Sequence, residues 1–107
     1  MSIKLINNYF YAWNNKDVEM IRKLIDKNIK LKDWEQEVSG EVEFIKANQK
    51  IFEEIPCINA EVLGIACVDE KVFARLKIKI NGDHIDVIDY FELKNDKITM
   101  IQAYRCF

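Results

Sequence analysis

Apolar positions along the chain change their period once, near its single proline. Before Pro56 they recur at three- and four-residue spacing. Ile6, Tyr9, Phe10 and Trp13 form one face of a predicted helix that ends around Asn14-Asn15. Asp17 is placed to cap a second helix whose apolar face is Ile21, Leu24 and Ile25. A short strand, about Ile29 to Trp34, comes next. Gly40 then opens a third helix with Phe44, Ile45, Asn48, Ile51 and Phe52 on one face. Ile55-Pro56 stops it, because proline lacks the amide hydrogen and disfavours helical geometry in its predecessor.

Beyond Pro56 the period becomes two, and turn residues mark off four strands, roughly 58–68, 71–80, 85–93 and 97–105. Asn81-Gly82 is the strongest hairpin signal, since both residues tolerate the positive φ of a tight turn. Amphipathic helices followed by a long-stranded meander predict an α+β domain. Its three N-terminal helices pack in the concave face of a strongly curved, mostly antiparallel sheet, a cystatin-like cone. No linker or repeat interrupts the pattern, so residues 1–107 read as a single domain.

Two acids break this pattern. In the run from Ile85 to Leu93, alternation puts Ile85, Val87, Phe91 and Leu93 on one face, and Asp89 falls among them. In Ile29-Lys30-Leu31-Lys32-Asp33 the two lysines point outward while Asp33 follows Ile29 and Leu31 inward. Burying a carboxylate without a partner is costly, so such groups are held for chemistry, for a structural hydrogen bond, or in protonated form.

Composition removes most other chemistries. The formal charge is −2, from 16 basic and 18 acidic residues, which gives no electrostatic footprint for nucleic acid. No apolar stretch approaches the roughly 20 residues of a membrane span, and the N-terminus has no signal-peptide core, so a cytoplasmic protein without a membrane partner is expected. Cys57, Cys67 and Cys106 are too scattered for a disulfide framework and read as small core residues with free thiols. The lone His84, in the turn after Gly82, and two serines leave few parts for a nucleophilic triad. Three separated glycines make no phosphate loop, and no His/Cys cluster offers a metal site. The alternating Arg75, Lys77 and Lys79 read as a charged stripe on the outer sheet face, and Arg105 as one half of a surface ion pair.

The order of elements resembles that of the nuclear transport factor 2-like superfamily, which includes ketosteroid isomerases and SnoaL-like polyketide cyclases. The resemblance rests on Tyr9-Phe10-Tyr11-Ala12-Trp13-Asn14-Asn15-Lys16-Asp17, on Lys32-Asp33-Trp34 with Gly40 downstream, and on Val87-Ile88-Asp89-Tyr90-Phe91 before Lys97-Ile98. It implies a site in which Asp33 moves a proton while Tyr9 and Asp89 form an oxyanion hole. In ketosteroid isomerase the corresponding acid is a standard example of a carboxyl kept neutral by an apolar site. Trp34 stands where these isomerases usually carry a proline, and the segment between Asp33 and Gly40 is short. Asn48 is the nearest polar residue on the third helix to their further hydrogen-bonding tyrosines.

The expected function is acid–base proton transfer next to the carbonyl of a small apolar substrate, by an isomerase or cyclase/lyase that needs no cofactor. Trp13, Trp34, Asn48 and Phe91 are the expected binding residues. The alternative is a non-catalytic domain that binds an apolar ligand, or a dimerisation module with a filled cone. The scarcity of glycine and alanine at inward positions favours a filled cone. A homodimer through the outer sheet face is expected, with Phe73, Ile88, Tyr90 or Ile101 poorly covered in a monomer.

Overall fold

The computed structural model describes residues 2–107. Helices α1 (Ser2–Asn14) and α2 (Val18–Leu24) lead into β1 (Ile25–Lys32) and the short β2 (Glu37–Ser39). Then come α3 (Glu41–Glu54), β3 (Asn59–Val68), β4 (Lys71–Ile80), β5 (Asp83–Lys94) and β6 (Lys97–Cys106). One six-stranded sheet runs β2-β1-β6-β5-β4-β3. All pairings are antiparallel except β1 with β6. No described helix is long and apolar enough to cross a membrane.

Local chemistry explains the boundaries. The Asp17 carboxylate accepts the Met20 amide and caps α2. Gly40, at φ +92°, turns the chain into α3 while its amide donates to Ile29 O at 2.7 Å. A residue with a β-carbon would be strained at that φ. The two-residue loop Asn81-Gly82 has φ of +45° and +85°, so it matches the right-handed twist of β4 and β5. Asn14 hydrogen-bonds reciprocally to the Ala60 backbone, donating to its oxygen at 2.9 Å and accepting from its amide at 2.8 Å. The end of α1 is thereby fastened to β3.

Ile6, Ile21, Ile29, Phe44, Phe91 and Ile98 are fully enclosed and form the centre of the core. Burial of each side chain of this size contributes about 1.5–3 kcal/mol. Register shifts between Val62 and Gly64 and between Glu92 and Leu93 interrupt the ladders. Such bulges increase twist and bend a sheet toward its covered face.

Several sequence expectations need correction. Ile25 begins β1 instead of ending α2, so the first strand starts four residues before Ile29. The alternation there is broken by a register shift between Ile25 and Lys30, which hides the strand's first half. The three-residue β2 carries too few positions to show a period, and His84 lies within β5. Cys57, Cys67 and Cys106 are exposed, near strand and loop ends, and none belongs to the core. Ile101 is on the concave face and buried, while Phe73 and Ile88 are exposed on the convex one.

Candidate active site

A cavity of about 580 Å³ opens between α1, α3 and the concave face of the sheet. That volume is in the range of small-molecule sites. Tyr9, Asp33 and Asp89 all line it. The register explains how the acids come together. On β5, Asp89 stands level with Ala74 of β4 and Ala103 of β6. On β1, Lys32 is level with Gln102, so Asp33 is the residue that reaches the level of Ala103. Asp33 and Asp89 thus share one row, two strands apart, with backbones separated by roughly 10 Å. Ala103 between them leaves the space that a larger side chain would fill. Ala47 on α3 and Ala60 on β3 also line the cavity. Alanine is scarce in the chain, but it is concentrated here, and the cone is not filled.

The Asp33 carboxylate is held by its own turn. Its Oδ1 accepts the Glu35 amide at 2.8 Å and the Gln36 amide at 2.9 Å, while the Asp33 amide donates to Gln36 O at 3.0 Å. This Asx-type arrangement fixes the carboxylate and leaves Oδ2 without a partner among the described residues. Trp34, 36% exposed, follows at the cavity mouth.

Asp89 is partly buried among apolar neighbours. Its pKa is pushed up from 3.8 to about 7, chiefly by desolvation and further by the negative charge of Asp33 across the cavity. Near neutral pH this carboxyl is therefore a donor for much of the time. Tyr9 is 5% exposed and packs edge-on against Phe10 and Phe91, at ring-centroid distances of 5.5 and 5.8 Å. Burial, and then the nearby Asp89, hold its phenol well above the ordinary tyrosine pKa, so it stays protonated. The site therefore presents two O–H donors and one fixed carboxylate around a common space.

Trp13 and Asn48 also line the cavity, but their polar atoms are committed to each other. The indole Nε1–H of Trp13 donates to Asn48 Oδ1 at 2.9 Å, and Asn48 Nδ2 donates to Phe44 O at 2.9 Å. The pair ties α1 to α3 and holds the roof. Phe91 is fully buried below Tyr9 and does not line the cavity. It supports the tyrosine and has no face open to a ligand. Sequence reading did not single out Glu35, Gln36, Lys50 and Glu54, which stand among the lining residues. Lys50 and Glu54 lie off the apolar face of α3, and nothing in their spacing marks them.

The SnoaL-like domain family matches residues 6–101, and the chain belongs to it. No curated protein matches the sequence. Solved structures share the fold over nearly the whole chain. An NTF2-like protein of unknown function from Cytophaga hutchinsonii is 16% identical, with 99% of this chain and 90% of that one covered, at a TM-score of 0.87. A candidate ketosteroid isomerase from Kribbella flavida is 12% identical, covers 99% and 78%, and has a TM-score of 0.89. An LEH-like epoxide hydrolase from M. tuberculosis is 13% identical, covers 98% and 82%, and has a TM-score of 0.84. At these identities the likeness is one of fold, which hosts more than one chemistry.

Proposed function

We propose that the cavity is a cofactor-independent acid–base site acting on a small, largely apolar carbonyl compound. The substrate's carbonyl oxygen accepts from the Tyr9 hydroxyl and the protonated Asp89 carboxyl. Asp33 removes a proton from the adjacent carbon, and the electron pair of that C–H bond moves into an enolate. The two donors strengthen as negative charge gathers on oxygen, which lowers the barrier in the way an oxyanion hole does. Where the substrate carries a C=C bond one carbon further on, the anion is a dienolate, and return of the proton from Asp33 to its γ-carbon shifts the double bond into conjugation and completes an isomerisation. Attack of the enolate α-carbon on a second carbonyl, whose oxygen takes up a proton, would make the same site a cyclase.

The single observation that carries this reading is the Asp89 carboxyl, partly buried among apolar side chains, facing the same open cavity as a second, turn-fixed carboxylate. Pairs of titratable groups pushed apart by their surroundings commonly divide acid and base roles. The competing reading is a ligand-binding domain that uses the same cavity without turnover. Binding of 2-naphthol, whose oxygen sits beside a flat apolar frame as in an enolate, tests the oxyanion hole. Affinity should fall about tenfold or more in Tyr9→Phe and Asp89→Ala and persist in Asp33→Asn. Equal affinity in all three variants, with ordinary titration of Asp89 by NMR, would contradict the proposal.

We also propose that the convex face joins two copies. Phe73 and Tyr90 lie side by side there, with ring centroids 5.1 Å apart, and Ile88 and Tyr104 flank them, 40% and 57% exposed. Basic Arg75 and Lys77 on β4 stand level with Ile88 and Asp86 on β5, so a two-fold arrangement can set basic against acidic edges.

A further inference from the structure

We infer that Arg105 reads a carboxylate at the outer end of the substrate, so that the site takes an apolar oxo acid in preference to a neutral ketone. This rests on the acid–base reading above, whose substrate class it narrows. On β6, alternation places Ile101, Ala103 and Arg105 on the concave face, and Arg105 is level with Val87, which lines the cavity. Arg105 is thus a third charged residue in an apolar register, after Asp33 and Asp89. It lies two residues beyond the row of Asp89 and Ala103, about 7 Å along the strand and toward the mouth.

The guanidinium is held and not spent. Its centre lies 5.9 Å from the Trp34 ring and 4.6 Å from the Phe107 ring. Both rings are within cation–π range, and neither takes up a guanidinium N–H, so the fork is open to a planar bidentate acceptor. Arg105 makes no ion pair among the described residues; those of the basic side chains involve Arg22, Lys46, Lys79 and His84. This corrects the expectation of a surface pair. Asp33 and Glu35 make the mouth unfavourable to an anion unless a cation faces it; Lys50 on α3 lines the same cavity but is accompanied by Glu54, whereas Arg105 makes no ion pair among the described residues. The span from the Asp89 row to Arg105 suits a two-ring frame with oxygen at one end and a carboxylate at the other.

Binding of 2-naphthol and of 6-hydroxy-2-naphthoate, followed by ligand fluorescence at pH 6 and low salt, tests the assignment in native protein, Arg105→Gln and Arg105→Lys. Native protein should bind the carboxylated probe about fivefold or more tightly than 2-naphthol. Arg105→Gln should reverse that preference, because Asp33 and Glu35 remain, without changing 2-naphthol affinity, and Arg105→Lys should restore it in part. A carboxylated probe that binds native protein no better than 2-naphthol, or a preference that survives Arg105→Gln, would overturn the assignment. Failure of both probes to bind would overturn it too. Indifference of 2-naphthol to Tyr9→Phe and Asp89→Ala strikes the acid–base reading instead, and leaves Arg105 to be judged by the carboxylate preference alone.

Discussion

Replacing Asp89 by asparagine should make the protein more stable at alkaline pH and leave a much smaller difference in acid. Asparagine has the shape and neutrality of the protonated carboxyl but cannot ionise. The folded-state pKa of Asp89 is raised from 3.8 to about 7, so between these values the native state holds a proton that the unfolded chain has lost. Stability from this group is full below the unfolded pKa, is lost progressively as pH rises, and is constant above the folded pKa. Each pH unit inside the window costs about 1 kcal/mol or a little more, so native protein should lose roughly 2–3 kcal/mol between pH 5 and pH 8 through this group alone. Other titrating groups are common to both proteins and cancel in the difference. Urea denaturation at pH 5, 6, 7 and 8 supplies the measurement, with the stability of Asp89→Asn minus that of native protein plotted against pH. The difference should grow by about 2–3 kcal/mol and level off above pH 7. A difference constant within about 0.5 kcal/mol would refute the desolvation argument and with it the neutral donor.

Affinity for 2-naphthol should fall as pH rises through about 7, where Asp89 ionises and ceases to donate, and this fall should disappear in Asp89→Asn. Asn48→Ala leaves the indole Nε1–H of the nearly buried Trp13 without its acceptor and should cost about 1–3 kcal/mol in chemical denaturation; an unchanged midpoint would show that the roof is held otherwise. In sedimentation at micromolar concentration the native chain should run as a dimer, and Phe73→Asp should run as a folded monomer, whereas a native monomer would remove the convex-face proposal.

The legible and illegible parts of the molecule divide along physical lines. Helices and long strands were visible because Ile6, Tyr9, Phe10 and Trp13, or Val87, Asp89 and Phe91, repeat a period over several turns or pairs. The three-residue β2 and the irregular first half of β1 have no such repeat. Asp33 and Asp89 stood out because each breaks an apolar register. The open cone did not, since cavity space depends on where few alanines fall, and Ala103 matters only once the β1–β6–β5 register puts it between the two acids. Phe91 shares the inward register of Val87 and Asp89, and alternation does not separate depths on one face. Its depth beneath Tyr9 is a tertiary fact. The exposure of the three cysteines likewise follows from element ends that alternation does not describe.

The central claim is that Asp33 removes a proton beside a carbonyl whose oxygen is held by Tyr9 and Asp89. Hydrogen–deuterium exchange tests this without knowledge of the natural substrate. 2-Tetralone incubated in D2O with the native protein should lose its α-proton NMR signals faster than in buffer at the same pH. Asp33→Asn should return exchange to the buffer rate, and Tyr9→Phe should slow the protein-dependent rate about a hundredfold, as expected for removal of one oxyanion donor. Exchange no faster than buffer, or equally fast in Asp33→Asn, would contradict the account.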